Sequence, residues 1–177
     1  GGMTDISAQK LADLDAQRDA QNHAELLKVQ QLISSPGMPL PEVLQLVADT
    51  VLRQTSACGT MVEILQNQAL VAQAVAGDHV RPVGHALPTG QCLLWPALSQ
   101  GRTVVCNDTE AEGWDMALMP HRHGVRSVMA VPLRNGDVIV GSLTVTSDQT
   151  DAFSRRDVAH LEILTESLGA MVQLRHV

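Results

Sequence analysis

The sequence predicts an α+β domain: one antiparallel sheet, helices on one of its faces and a loop-rich lobe on the other. Three observations carry this. The apolar spacing changes from helical to strictly alternating after residue 55. Two alternating stretches each double back over a short turn, at 66–68 and at Asn135-Gly136. The chain then closes on a strong helix-start signal, Phe153-Ser154-Arg155-Arg156-Asp157-Val158.

The elements follow in order. Residues 4–34 contain no Gly or Pro, and Leu11, Leu14, Ala20, Ala24 and Leu27 recur at helical intervals. The stripe is thin, so this helix is expected to lie against the body of the domain or a second copy. Ser34-Ser35-Pro36-Gly37-Met38-Pro39 breaks it. A second helix is expected over 41–55, with Pro41 in its first turn and Val43, Leu44, Val47, Val51 and Leu52 facing the core. Thr60, Val62 and Ile64 then alternate with Met61, Glu63 and Leu65, and 70–75 answers as a second strand. A short strand is expected near 83–87. The second hairpin joins 127–134 to 138–147 through Asn135-Gly136, which accept positive φ. On its return strand Ile139, Leu143 and Val145 share an apolar face, and Val140, Ser142, Thr144 and Thr146 a mixed one. The last helix is expected over 154–175. Ser154 caps it, Asp157 suits its positive end, Phe153 staples to Val158, and Leu161, Leu164, Leu168 and Met171 form the stripe. No terminator follows, so this helix is expected to continue in a longer protein, and Gly1-Gly2 before Met3 reads as a cloning scar.

Composition narrows the function. A chain of 177 residues can bury roughly 70% of its unfolded surface without staples. It is 45% hydrophobic but 2% aromatic, with no Tyr and only Phe153, so the core is aliphatic and base-stacking surfaces are missing. Net charge is -7, and the only lysines are Lys10 and Lys28, which argues against nucleic acid as partner. No apolar run is long enough to span a membrane, and no signal-peptide pattern is present. Three irregularly spaced cysteines do not make a secreted disulfide framework. The expectation is a cytoplasmic protein with reduced thiols, in which the Asn107-Asp108-Thr109 sequon is idle.

Several short motifs now fall into a familiar order. Gly90-Gln91-Cys92 opens a short helix through Ser99, and Gln100-Gly101-Arg102-Thr103-Val104-Val105 leads to Asn107-Asp108. Gly124-Val125-Arg126-Ser127-Val128, Val131-Pro132-Leu133, Gly141 and Phe153-Ser154 follow. In this order the chain resembles a GAF domain over about residues 40–172. It is most similar to modules with a Cys at position 92 and a string like Cys106 to Glu110, which often precede bacterial outputs such as diguanylate cyclases and histidine kinases. The resemblance implies a central antiparallel sheet, terminal helices on one face that pair across a homodimer, and a small-molecule pocket under the lobe of residues 79–127. It divides the chain into a start (1–3), a signalling and dimerisation helix (4–35) and the GAF domain with its C-terminal helix (40–175).

The candidate ligand-binding residues are Cys92, Trp95, Cys106, Asp108, Thr109, Trp114, His121, His123 and Arg126. His121-Arg122-His123 with Arg126 forms a cationic cluster suited to an anionic ligand, and the two indoles supply flat apolar walls. Against these stand plainer readings: a solvated loop for the cluster, lobe packing for the indoles, and turn-capping for Asp108 and Thr109. None of Cys58, Cys92 and Cys106 is followed by His, as a bilin-linking cysteine usually is, and the signature of cyclic-nucleotide GAF domains is missing. Thr89-Gly90-Gln91-Cys92 resembles the cysteine turn of free methionine-(R)-sulfoxide reductases, but Leu93 replaces its Gly and no Cys follows Cys106. Cys92 and Cys106 could act as a redox pair only at disulfide distance; otherwise they line the wall, and Cys58 is expected in the core. No catalytic or metal-binding set is read, the cofactor and ligand are unnamed, and the expected function is a non-enzymatic sensory domain. The alternatives are a thiol redox sensor or enzyme and a structural dimerisation module with a collapsed pocket.

Overall fold

The computed structural model describes residues 37–114 and 124–175, together with 24, 27–31 and 33. The first element, α1, is Leu40–Gln54, and Pro41 sits in its first turn, where a missing N–H costs nothing. Val43, Leu44, Val47, Ala48 and Val51 are its buried face. It stops where the Thr55 hydroxyl donates to the Val51 carbonyl at 2.8 Å and the Thr55 N–H donates to the same oxygen at 3.1 Å.

Six strands follow: β1 (Gly59–Gln66), β2 (Ala69–Gly77), β3 (Ala86–Pro88), β4 (Val104–Cys106), β5 (Ser127–Asn135) and β6 (Val138–Ser147). They form one sheet in the order β3-β2-β1-β6-β5-β4, and every neighbouring pair is antiparallel. The expected strand near 83–87 begins slightly later, at Ala86, because 78–85 runs as an irregular strap along β2. Asn67 and Gln68 turn the first hairpin with φ of 50° and 63°. The second turn is displaced by one residue from the expected Asn135-Gly136. Asn135 pairs with Val138, so Gly136 and Asp137 make the turn, and of these only Gly136 has positive φ. That is the pattern of a type II′ hairpin, which needs one glycine rather than an Asn-Gly pair.

Two bulges reset the faces. Val62 pairs with Ala74 but Glu63 with Ala72, which leaves Gln73 unpaired. Leu133 pairs with Gly141 but Arg134 with Ile139, which leaves Val140 unpaired. Val140 was expected on the mixed face; as the extra residue of a bulge it joins the apolar core instead. Strand β4 begins at Val104 opposite Ala130, two residues short of Pro132, which has no N–H to extend a ladder.

A short helix, α2 (Trp95–Leu98), lies in the lobe after a single 3₁₀ turn at Thr89–Gln91, so the expected helix from Gly90 to Ser99 is split in two. The last helix, α3, is Arg155–Arg175. Its start is a capping box. The Asp157 N–H donates to Ser154 Oγ at 3.2 Å, and the Ser154 N–H donates to Asp157 Oδ2 at 2.9 Å. Phe153 and Val158 sit in the same core, as a staple requires. Replacing Ser154 with Ala is expected to cost about 1 kcal/mol, read as a shift in the urea midpoint.

The main core lies between the helices and one sheet face. Val43, Leu44, Val47, Val62, Ile64, Met129, Val131, Leu143, Val145, Leu161, Leu164 and Leu168 fill it, and Val29 and Ile33 join it from the helical residues before α1. Gly169 lets α3 approach β5, since a Cβ there would meet the Arg134 carbonyl oxygen at 2.2 Å. Most of the 4–35 helix lies outside the described residues.

Candidate functional site

Strand alternation puts Met61, Glu63, Ala72, Val128, Ala130, Ser142, Thr144 and Thr146 on the sheet face turned away from the helices. This face differs from the other in being polar at its centre. Glu63, Ser142, Thr144 and Thr146 are all buried. Glu63 forms an ion pair with Arg81, which reaches over the sheet from the strap between β2 and β3. The two residues are 3% and 5% exposed, so the pair is withdrawn from water.

The strap holds Arg81 through its own backbone. Nη1 donates to the Leu70 and His85 carbonyls at 3.5 and 3.4 Å and lies 3.0 Å from His85 Nδ1. A guanidinium has only donors, so His85 Nδ1 accepts and its proton sits on Nε2. The strap is itself tied to β2: Gly84 N–H donates to the Ala72 carbonyl, and Ala72 N–H donates to the His85 carbonyl. On the other side, Ser142 Oγ donates to Glu63 Oε1 at 3.4 Å. Thr146 Oγ1 is buried with no hydrogen-bond partner among the described residues. Sequence reasoning missed Glu63 and Arg81. The available signal was one carboxylate inside the alternating run Gly59–Gln66, opposite the mixed face of β6.

The residues singled out from sequence divide into a packed group and a tied loop. Cys106 is buried with Leu94, Leu98, Val125, Val128 and Ala130, and Cys92, Trp95 and Trp114 pack against that cluster. Asp108 Oδ1 accepts from the Glu110 and Ala111 N–H groups at 3.1 and 3.3 Å and from Arg126 Nη2 at 3.1 Å. The Arg126 bond, helped by the two N–H groups against some desolvation, holds the Asp108 carboxyl below its usual range. Glu110 stands 3.5 Å from the same guanidinium. Thr109 is 1% exposed; its hydroxyl donates to the Val125 carbonyl at 2.7 Å and its N–H to the Arg126 carbonyl. His121 and His123 lie outside the described residues.

All three cysteines are free thiols. Cys58, expected in the core, instead precedes β1, is only half-buried and donates to Asp148 Oδ1 at 3.4 Å. Burial, then a hydrogen bond to Glu112 and the charge of that carboxylate, push the Cys106 thiol up to about 12. Only a thiolate attacks, so Cys106 is a poor nucleophile near neutral pH. The unfolded thiol titrates near 9.0, so below that pH both states keep the proton and stability is unaffected. Above it the unfolded chain loses the proton first, and stability falls as pH rises from 9.0 towards about 12. Urea midpoints across that window should show this slope, and Cys106→Ala should remove it.

Among the described residues no group of three His, Cys, Asp or Glu side chains is placed to hold a metal. A separate cleft of about 440 Å³ lies where Gly101 and Thr103 of the lobe face Glu162, Ile163 and Glu166 of α3 across Val131 and Pro132. Thr103 Oγ1 donates to Glu162 Oε1 at 2.9 Å across it.

A six-stranded antiparallel sheet with helices on one face and a lobe over a polar opposite face defines an α+β architecture. The chain belongs to the GAF domain family, whose model matches residues 37–173. Among solved structures it is similar to the GAF domain of an Acinetobacter phosphoenolpyruvate-protein phosphotransferase, at 20% identity and a TM-score of 0.74 over 88% of this chain and 95% of that one. The corresponding domain from Coxiella burnetii gives 16% identity and a TM-score of 0.76, over 88% and 94%. Free methionine-R-sulfoxide reductase from Neisseria meningitidis, in complex with its substrate, gives 19% and 0.73, over 89% and 91%. No curated protein matches the chain. Identities this low carry the fold and not the chemistry.

Proposed function

We infer that this GAF domain is a regulatory, small-molecule-binding module that signals through its terminal helices to an output domain. The observation that carries the reading is the buried polar floor of Glu63, Ser142, Thr144 and Thr146 under the lobe. A face needed only for packing would be apolar, because desolvated polar groups cost stability. The residues 4–35 would form the signalling and dimerisation helix in a cytoplasmic homodimer. Ile163 and Leu174, 52% and 82% exposed on α3, support a second copy there. The lobe residues Cys92, Trp95, Cys106, Asp108, Thr109, Trp114, His121, His123 and Arg126 would form the wall and rim above the floor. Transmission would follow from a ligand that favours one arrangement of the helices.

The test is native mass spectrometry of freshly purified, unreduced protein. A dimer carrying a small adduct is expected, and a monomer without adduct overturns the reading. The same spectrum tests a thiol enzyme, because a Cys92–Cys106 disulfide would lower the mass by two hydrogens per chain. The high pKa of Cys106 weighs against that enzyme. Turnover of free methionine sulfoxide that disappears in Cys92→Ser would revive it.

A further inference from the structure

We propose that Arg81 is an internal, tethered occupant of the ligand site, and that the ligand which displaces it presents a cationic N–H donor, a guanidinium or an ammonium, to Glu63. This deepens the reading of the lobe face as a ligand site and rests on it.

The two partners of the ion pair are held unequally. Glu63 is fixed in the centre of the sheet, paired through β1 with Ala72 on one side and Ser142 on the other. Arg81 lies in the irregular strap at the β2 edge, outside any strand. The acceptors around Arg81 Nη1, at Leu70 and His85, belong to β2 and the strap and would travel or stay with them. Glu63 Oε1, by contrast, receives a single long bond from Ser142. An ionised carboxylate has room for about four hydrogen bonds, so the oxygen turned towards the β6 hydroxyls keeps acceptor capacity for a ligand donor. Thr146 Oγ1, without a partner among the described residues and on the same face of β6, offers a further polar contact. The bulge at Gln73 stands directly beside Glu63 in the neighbouring strand, the kind of irregularity that re-aims a side chain at a binding site.

The energetics favour a switch over a staple. A buried ion pair adds little net stability, while losing one partner is costly. Glu63 therefore needs a cation at all times. With no ligand, Arg81 supplies it; with a ligand bound, the strap is released from Glu63. The strap leads through β3 into the 3₁₀ turn at Thr89–Gln91 and on to Cys92 and α2, so release would reach the lobe directly.

The experiment uses methylguanidinium as the probe, with Arg81→Ala and the double variant Glu63→Gln/Arg81→Ala. At low millimolar concentration and matched ionic strength, methylguanidinium is expected to raise the Tm of Arg81→Ala in a saturable way, since a ligand bound only by the folded state stabilises it by mass action. The double variant should show no such shift. Arg81→Gln, which removes the charge but keeps a polar side chain in the strap, carries the test if the alanine variant does not fold. No cation-specific shift in the single variants, or an equal shift in the double, overturns the proposal. Stabilisation of Glu63→Gln by acetate, without a methylguanidinium effect on Arg81→Ala, would assign recognition to Arg81 and also overturn it. None of these results decides whether the domain binds a regulator at all, which the adduct measurement decides separately.

Discussion

Replacing Glu63 with Ala should lower the unfolding free energy by about 3–5 kcal/mol, and Arg81→Ala should cost a similar amount. Each removes one member of a pair whose exposures are 3% and 5%, and leaves the other charge buried without its counter-ion. The double replacement Glu63→Leu/Arg81→Met should recover most or all of this loss, because apolar groups of similar volume have no charge to desolvate. Urea unfolding of the four proteins gives the coupling as a double-mutant cycle. Additive losses would mean that the two side chains do not depend on each other. Recovery in the double variant would show that the pair is not kept for stability.

Gly141→Ala should be as damaging in its own way, at about 3 kcal/mol or more, the upper end for overpacking. A Cβ on Gly141 would stand 2.1 Å from the Glu63 carbonyl oxygen and 3.1 Å from Ile64 Cα. Both obstacles are backbone in the sheet's central pair, so no side-chain rotation relieves them. Strand β6 must move off β1, and Glu63 shifts with it. Gly90→Ala is the control: nothing lies within 4 Å of its Cβ, and its unfolding midpoint should barely change. A mild effect at Gly141 would mean that the two strands can separate without loss of the fold.

The fold was legible wherever the signal was local. The start of α3 could be read because Ser154 and Asp157 form a capping box within one turn, and the Leu161, Leu164 and Leu168 stripe follows at helical spacing. The Val140 bulge was not legible, because it depends on how β6 registers with β5, and the alternation of β6 alone assigned it to the wrong face. The site was harder for the same reason. Asp108 and Arg126 were visible because they sit in a recognisable motif order, but they turn out to bond chiefly to each other and to their own loop. Glu63 stood only as one member of the alternating run of β1, and no sequence pattern singled out Arg81. Only the fold of the strap over the sheet brings the two together.

The place of β1 in the sheet bears on how the chain reaches this structure. One neighbour, β2, follows it at once, but the other is β6, so that Gly59 pairs with Thr146. Closing so long a loop carries an entropic cost before any contact repays it, and domains built on such distant pairings fold slowly. During synthesis the β1–β2 hairpin leaves the ribosome with one edge of β1 unpaired and waits for almost the entire lobe to be made. Until Thr146 emerges the domain has two half-sheets and no centre, which makes the nascent chain, rather than the finished protein, the form most exposed to association through an open strand edge.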